Sequence, residues 1–253
     1  MTDYLLIRLY GPLASWGDIA VGETRHSSVH PSRSALLGLL GAALGIERSD
    51  DVGQQALTDG YRFGIKLEAT GRPLRDYHTV GIGVAPRKTR FLTRRQELAA
   101  EKVDTILSTR EYRCDSLALV AIEATATAPY DLNHLAQALR HPRFPLYLGR
   151  RSCPLAIPLA PTPASANTLQ EVLNGTALPP LLGLSYRQPQ AWPSKLDQRV
   201  FQLGQPRYYW EDGMQSGVEA SFESQRQDQP LSRRRWQFSP RREWVALGGL
   251  ESP

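Results

Sequence analysis

The sequence predicts an α+β fold, in which a ferredoxin-like domain carries a long inserted arm and is followed by a smaller β-rich region. Strand, helix, strand, strand and helix follow one another within the first 140 residues, which is the order of the split βαβ arrangement. About 45 residues separate the second and third strands, far more than usually join neighbouring elements. With 253 residues and 41% hydrophobic content, the chain is long enough to bury a substantial core.

The first half of this order is readable from local patterns. "YLLIRLY" (residues 4–10) is rich in strand-forming residues and stops at Gly11-Pro12. A helix is predicted to begin near Pro31 or Ser32 and to run through Arg33 to Gly45. "YRFGIKLE" (residues 61–68) alternates apolar and polar residues, which predicts a strand with one buried and one wet face.

The second half repeats the pattern. "SLALVAIEA" (residues 116–124) predicts a buried strand, Asp131 is positioned to cap an amphipathic helix, and a further strand is expected around Leu155 to Leu159. In this arrangement helices cover one sheet face and leave the other free, as in RRM-like RNA-recognition domains. The aromatic signature of those domains is missing, so stacking of bases on the sheet is not expected.

The insertion, residues 75–113, is predicted to form a hairpin-like arm. "RDYHTVGIGV" and "TILSTREYRC" both read as extended, and a short helix capped by Thr93 lies between them. Its tip is basic, with Arg87, Lys88 and Arg90. We therefore assign residues 1–160 to the ferredoxin-like domain, 161–183 to a connector and 184–253 to a β-rich region whose segment Arg233 to Arg242 is exposed.

Positive charge is concentrated in three segments. The formal net charge is +5, yet residues 75–113, 140–151 and 226–242 carry +4, +4 and +5, which leaves about −8 on the rest. Such segregation is the electrostatic footprint of a nucleic-acid-binding protein. Solvated basic faces without a partner remain the alternative at this point.

Several function classes lack their sequence signatures. The longest apolar run has 12 residues, whereas a membrane span takes roughly 20. Two cysteines form neither a disulfide framework nor a four-ligand zinc site, and a reducing cytoplasm is the expected location. No phosphate-binding loop or dinucleotide fingerprint occurs, so no cofactor and no metal are expected.

Candidate catalytic groups are sparse. Cys153 follows Arg150 and Arg151, which cannot act as bases, so we expect a packed thiol. His78, beside Tyr77, offers a general base for metal-free RNA cleavage. Stacking or hydrogen bonding of these two side chains on an RNA that is never cut is the alternative, and the sequence leaves both open.

Five separated motifs resemble one family. "LIRLYGPLASWG", "HPSRSALLGLLGAALGI", "LRDYHTV", "TREYRCD" and "YLGRRSCPL" are similar to the Cas-five family of CRISPR-associated proteins, in its type I-E lineage, over residues 5–159. The resemblance implies a non-catalytic subunit that caps the 5′ handle of CRISPR RNA, with the insertion as a thumb. Implied partners are the backbone subunits and the large subunit of the Cascade complex, with target DNA contacted only indirectly and no membrane.

Some relatives in a different subtype cut precursor CRISPR RNA. The alternative function is therefore a metal-independent endoribonuclease that uses His78 and Tyr77. The residues expected to bind RNA are Arg25, His26, Arg33, Arg75, Tyr77, His78, Arg87, Lys88, Arg90, Arg110, Tyr112, Arg113, Tyr147, Gly149, Arg150, Arg151 and Ser152.

Overall fold

The computed structural model describes residues 1–20, 22–85, 90–179, 193, 195–201 and 203–248. These residues form a mixed α/β structure built from antiparallel sheets. The helices are α1 (Arg33–Leu44), α2 (Asp51–Gly60), α3 (Arg94–Leu98), α4 (Leu132–Arg140), α5 (Leu169–Gly175) and α6 (Lys195–Phe201). The strands are β1 (Thr2–Tyr10), β2 (Leu13–Ala14), β3 (Trp16–Gly17), β4 (Thr24–Arg25), β5 (Ser27–Ser28), β6 (Tyr61–Ala69), β7 (Arg72–Gly83), β8 (Val103–Cys114), β9 (Leu117–Ala124), β10 (Thr162–Ala166), β11 (Arg207–Trp210), β12 (Phe222–Ser232) and β13 (Gln237–Leu247).

The main sheet has the strand order β10-β1-β9-β6-β11-β13-β12. Every neighbouring pair is antiparallel. The first four strands of that order interleave with α1, α2 and α4, and the last three come from the C-terminal part of the chain. Because β9 lies between β1 and β6, its residues are almost continuously apolar and buried.

Both faces of the main sheet are covered. One face packs against α1, α2 and α4 through a core that includes Leu5, Ile7 and Val120, and the other packs against α5 through Leu6 and Leu169. Gly64 permits this approach, because a Cβ atom there would lie 2.4 Å from the side chain of Leu169. The expectation of a free sheet face is therefore wrong for this part of the sheet.

The fourth strand of the sheet lies further along the chain than predicted. Residues 155–159 make only two backbone hydrogen bonds with β1, from Arg8 to Leu159 (2.8 Å) and from Ala156 to Tyr10 (3.1 Å). The strand itself is β10, at Thr162–Ala166, which pairs with β1 in register from Thr2↔Ala166 to Leu6↔Thr162. The predicted connector thus supplies an edge strand of the main sheet and α5.

The C-terminal region, predicted to be a smaller β-rich region, is joined to the first domain by strand pairing. β11 pairs with β6, so β11, β13 and β12 extend the main sheet itself. The segment Arg233 to Arg242 is only partly exposed, because the Arg241 side chain is 11% exposed and forms salt bridges with Asp228 (2.6 Å) and Glu243 (2.7 Å).

Buried charges join the C-terminal hairpin to the start of α1. His30 hydrogen-bonds Glu243 (2.9 Å) and stacks on the ring of Tyr209, with 3.7 Å between centroids. Burial raises the pKa of Glu243, but the hydrogen bond from His30 and the charges of His30, Arg241 and Arg226 outweigh it and lower the pKa to about 2. Burial lowers the pKa of His30 more than Glu243 raises it.

A second, smaller sheet carries the projecting part of the molecule. β7 and β8 pair over twelve residues each, from Arg72↔Cys114 to Gly83↔Val103, which gives a two-stranded hairpin roughly 40 Å long. At its far end lies α3, capped by Thr93, whose hydroxyl accepts a hydrogen bond from the N–H of Gln96 (3.2 Å). At its base, β8 also pairs with β2 and β4.

Among the described residues, no helix has the length and apolar character needed to cross a membrane.

Candidate nucleic-acid interface

Arginines converge at the base of the projecting hairpin. β4 runs parallel to β8 and places Arg25 opposite Arg110, while Arg113 lies on β8 opposite Ala14 of β2. Arg150 reaches the same place from the loop of residues 147–154. We call Arg25, Arg110 and Arg150 the arginine cluster, because Arg113, three positions from Arg110 on the same strand, points to the opposite face. None of the three forms a salt bridge with a described carboxylate, so their charge is available to an anion.

The loop of residues 147–154 is a tight turn pressed against the body. Tyr147 and Pro154 form an isolated β-bridge, and the N–H of Leu148 donates to the carbonyl of Cys153 (2.7 Å). Gly149 has a φ of +86°, and a Cβ atom there would lie only 1.9 Å from the carbonyl oxygen of Ser15. Only glycine fits this position without displacing the loop.

This turn aims Arg150 at the hairpin. Its guanidinium lies over the ring of Tyr112, 4.8 Å from the centroid, and donates to the carbonyls of Glu111 (3.4 Å) and Arg25 (3.3 Å). A guanidinium has five N–H donors, and these two bonds engage two of them. The geometry therefore fixes the plane of Arg150 and leaves donors for a phosphate.

Glu111 is the carboxylate at the edge of the cluster. It accepts hydrogen bonds from His26 Nδ1 (3.2 Å) and from Arg75 (3.2 Å). Partial burial raises its pKa, but hydrogen bonds from His26, Arg75 and the backbone of Ser27 outweigh this and lower it. Glu111 is thus ionised at neutral pH and holds Arg75 and His26 on the hairpin face opposite Arg110.

The two faces of the hairpin carry different groups. Directly paired residues share a face, so Arg75, Tyr77 and Glu111 belong to one face, and Asp76, His78 and Arg110 to the other. Tyr77 is 62% exposed, which leaves its ring free for stacking. His78 Nε2 lies against the carboxylate of Asp76.

The comparisons with known proteins agree on one family. A sequence model of the family described as "CRISPR-associated protein (Cas_Cas5)" matches residues 4–243. The chain belongs to the Cas5 family. It is 39% identical, over 183 residues, to the "CRISPR system Cascade subunit CasD" of Escherichia coli (strain K12), covering 68% of this chain and 76% of that relative.

Two solved structures resemble the Cas5-family fold described above. One, titled "CRISPR RNA-guided surveillance complex", aligns with a TM-score of 0.65 and 24% identity over 97% of this chain and 90% of that chain. Another, titled "Crystal structure of Cas protein", aligns with a TM-score of 0.56 and 25% identity over 98% and 96% of the two chains. The alignment with the first structure shows that the two chains share a fold.

Two residues predicted to bind RNA are internal in this Cas5-family chain. The Arg33 guanidinium forms a buried salt bridge with Glu211 and also donates to the carbonyl of Tyr61 (3.1 Å). The Tyr112 ring is 7% exposed and lies beneath Arg150. Arg33 therefore stabilises the junction with the C-terminal hairpin, and Tyr112 supports Arg150, in contrast to the predicted contacts with RNA.

Other predicted residues lie apart from the arginine cluster. Tyr147 and Arg151 line a separate cleft, described below, and Arg90 is exposed beyond the hairpin strands. Ser152 is exposed, with its hydroxyl 3.9 Å from the sulfur of Cys153. Arg87 and Lys88 lie outside the described residues.

Cys153, His26 and His30, the other candidate reactive side chains, have the following surroundings. Burial raises the pKa of the Cys153 thiol more than Ser152 and Arg150 lower it, which favours the unreactive protonated form. His26 and His30 bind different carboxylates, Glu111 and Glu243. The described part of the Cas5-family chain contains no group of three or more histidine, cysteine or acidic side chains arranged to hold a metal ion.

Sequence reasoning missed two residues that build the site. Glu111 lies among many cations in the inserted segment and was not singled out. The hairpin register, which pairs it directly with Arg75, would have identified it. No sequence pattern points to Ser15. Its N–H donates a hydrogen bond to the carbonyl of Leu148 (3.0 Å), and its hydroxyl donates one to the carbonyl of Glu111 (3.0 Å). Ser15 thereby ties the loop to the hairpin.

Proposed function

We propose that this Cas5-family protein is a non-catalytic subunit of a Cascade-type CRISPR surveillance complex, and that it binds and caps the 5′ handle of CRISPR RNA. The observation that carries this proposal is the arginine cluster, whose three guanidinium groups have no carboxylate partner among the described residues. Membership of the family and the 39% identity to a protein named as a Cascade subunit support the assignment.

The architecture fits that role. We propose that β1, α1, β6, β9, α4 and β10 form a ferredoxin-like body, which the strand order β10-β1-β9-β6 supports. The hairpin of β7 and β8, with α3 at its end, is the proposed thumb. Since α5 covers the face of the sheet that RRM-like domains use, the RNA is bound at the base of the thumb and not on the sheet.

The chemistry of binding follows from the side chains at that base. Single-stranded RNA is held by charges along its backbone and by bases stacked on aromatic rings. Arg110 and Arg150 meet phosphates, and Tyr77, on the exposed face of the thumb, stacks on a base. Arg75, which is held by Glu111, adds a further positive charge beside Tyr77.

One observation favours binding over cleavage. Adjacent residues of a strand point to opposite faces, so Tyr77 and His78 do not act together on one phosphodiester. Cleavage by His78 alone remains the outcome that the following experiment is designed to detect.

We further propose that the thumb packs on a backbone subunit of the complex and that the body anchors the large subunit. Target DNA is then contacted only indirectly. A cytoplasmic location stays a prediction from the sequence, where two cysteines suit a reducing compartment.

The test is incubation of the purified protein with labelled repeat RNA in buffer containing EDTA, read for both mobility shift and RNA length. We expect a shift without shortening. Arg110→Ala with Arg150→Ala should weaken binding and reduce the slope of log affinity against log salt by about 1.4, since each lost phosphate contact contributes about 0.7.

Arg235→Ala is the matched control, because Arg235 is exposed and lies in the β12–β13 turn. It removes one charge without touching the cluster and should change affinity little. If the wild-type protein shortens the RNA and the His78→Ala variant does not, the protein is instead the ribonuclease of the alternative. Unchanged binding by the double variant would remove the arginine cluster from the site.

A further inference from the structure

A second cationic surface lies beside the same loop, next to the turn between β12 and β13. It is a cleft of about 960 Å³, within the range of roughly 300–1,000 Å³ that is usual for ligand pockets. It is bounded by the turn after α1, the segment before the loop of residues 147–154, and the turn between β12 and β13. We call it the basic cleft and define it by Arg48, Tyr147, Arg151, Arg233, Arg234 and Trp236.

The charges of the basic cleft are unbalanced. Its lining holds four arginines against one acidic residue, Glu47, and none of the four arginines forms a salt bridge among the described residues. Arg48 and Arg233 are held side by side, with Arg48 Nε donating to the carbonyl of Arg233 (2.8 Å). Burial and the neighbouring Arg48 lower the pKa of Arg233 to about 10, so it stays protonated at neutral pH.

The position of Arg233 is built into the fold. Its guanidinium donates to the carbonyl of Ser34 and passes across Gly38, where a Cβ atom would lie 3.5 Å from it. Its Nε atom is buried and has no hydrogen-bond partner among the described residues. Two like charges held together without a carboxylate form a site suited to an anion.

Trp236 adds an aromatic surface to the same cleft. The side chain is 59% exposed, and the Arg48 guanidinium lies 3.9 Å from its ring centroid. The backbone has a φ of +56°, a left-handed conformation that costs a non-glycine residue roughly 1–2 kcal/mol. The β12–β13 turn thus presents the Trp236 ring at the mouth of the basic cleft.

We propose that the basic cleft binds a nucleotide of the same single-stranded RNA that the arginine cluster holds, with its base on Trp236 and its phosphate between Arg48 and Arg234. This inference rests on the proposed function and extends its binding site across the loop of residues 147–154. Proteins that bind single-stranded nucleic acid combine arginine with exposed aromatic rings, because each base has a π-face that can stack and each phosphate linkage carries a negative charge.

The loop explains how one RNA reaches both surfaces. Arg150 belongs to the arginine cluster, whereas the next residue, Arg151, and Tyr147 at the start of the loop line the basic cleft. Successive residues of one tight turn thus face two cationic surfaces. An RNA strand that crosses the turn remains in contact with arginine side chains on both sides.

Affinity for repeat-derived RNA tests the inference with a matched pair of variants. Arg234→Ala should weaken binding about tenfold, as expected for one charge-assisted phosphate contact, and reduce the salt slope by about 0.7. Arg235→Ala removes the same charge from the neighbouring exposed position, which does not line the cleft, and should leave both values close to wild type. Equal effects of the two variants would overturn the inference, because general charge would then account for them.

Fluorescence provides a readout at the aromatic ring. Addition of repeat RNA should quench the emission of Trp236, so the quenching should decrease in Trp236→Phe while the RNA affinity stays near wild type. Trp236→Leu should lose about 5- to 150-fold in affinity, because stacking on an aromatic ring is lost. Unchanged thermal unfolding separates these effects from loss of folding, and quenching that is the same in Trp236→Phe would refute the stacking.

The results also distinguish this inference from the proposed function. If Arg110→Ala with Arg150→Ala weakens RNA binding but Arg234→Ala and Trp236→Leu do not, the function stands and the nucleotide site is wrong. If the cleft variants bind RNA normally but no longer assemble with the other subunits, the cleft binds protein and the inference is overturned. If neither set of variants affects RNA binding, both proposals fail.

Discussion

Gly149→Ala adds one methyl group at the turn that orients Arg150. The left-handed backbone at φ +86° costs an alanine roughly 1–2 kcal/mol. Its Cβ atom would lie 1.9 Å from the Ser15 carbonyl oxygen, so the loop must move, which costs about 1–3 kcal/mol by overpacking. Movement also weakens the 3.0 Å hydrogen bond from Ser15 to Leu148, worth about 1 kcal/mol.

The total, about 3–6 kcal/mol, corresponds to a fall in the melting temperature of roughly 6–24 °C for a chain of this size. Gly22→Ala is the matched control. Gly22 has a similar φ of +79° but no neighbouring atom within 4 Å of the added Cβ, so only the backbone term of roughly 1–2 kcal/mol applies. Thermal unfolding by circular dichroism measures both variants, and equal losses would refute the close contact with Ser15.

The same substitution should also affect RNA binding. When the loop moves, Arg150 loses its position over Tyr112 and its bonds to the carbonyls of Glu111 and Arg25. Gly149→Ala should therefore weaken binding of repeat RNA at least as much as Arg150→Ala does, at a temperature where both proteins are folded. Wild-type affinity in Gly149→Ala would show that the turn does not position the arginine.

Two further predictions concern the buried charges. The free energy of unfolding, measured by denaturant unfolding, should fall as the pH drops below about 6.5 and continue to fall towards about pH 2. The reason is that His30 and Glu243 have lowered pKa values, so the folded protein binds fewer protons than the unfolded chain. In the Glu243→Gln variant, the loss of stability below about pH 4.5 should be smaller. Arg33→Ala should destabilise the fold by about 3–5 kcal/mol, because the buried carboxylate of Glu211 loses its partner, and it should not change the salt slope of RNA binding. Arg150→Ala should do the opposite: it should reduce the salt slope and change the free energy of unfolding little.

Elements defined by local patterns were predictable. Alternation in residues 61–68 identified β6, and the capping side chains of α3 and α4 were recognised at Thr93 and Asp131. These signals depend on neighbours a few residues apart along the chain. The attachment of β11 to β6 depends instead on a pairing between residues more than 100 positions apart, and the short pattern "RYYW" contains nothing that selects an edge.

The candidate site was predictable to the extent that its residues share a strand or a turn. The paired segments of the arm and the loop of residues 147–154 indicated where cations would gather. Arg33 was misassigned because an arginine at the start of a helix has the same sequence signature whether it meets RNA or a carboxylate. Its partner Glu211 is 178 residues away, and only the fold brings the two together.

Charge counts along the sequence overstate the free positive charge of residues 226–242, whereas they agree with the free charge of the loop of residues 147–154. Residues 226–242 sum to +5 by sequence, but Arg226 and Arg241 are buried beside Asp228 and Glu243, which neutralise them locally. The arginines of that segment that bear free charge at the basic cleft are those of the β12–β13 turn. The loop of residues 147–154 has no such compensation, so its two arginines contribute their full charge. Free charge therefore follows the loop and the turn, which is the path proposed for the RNA.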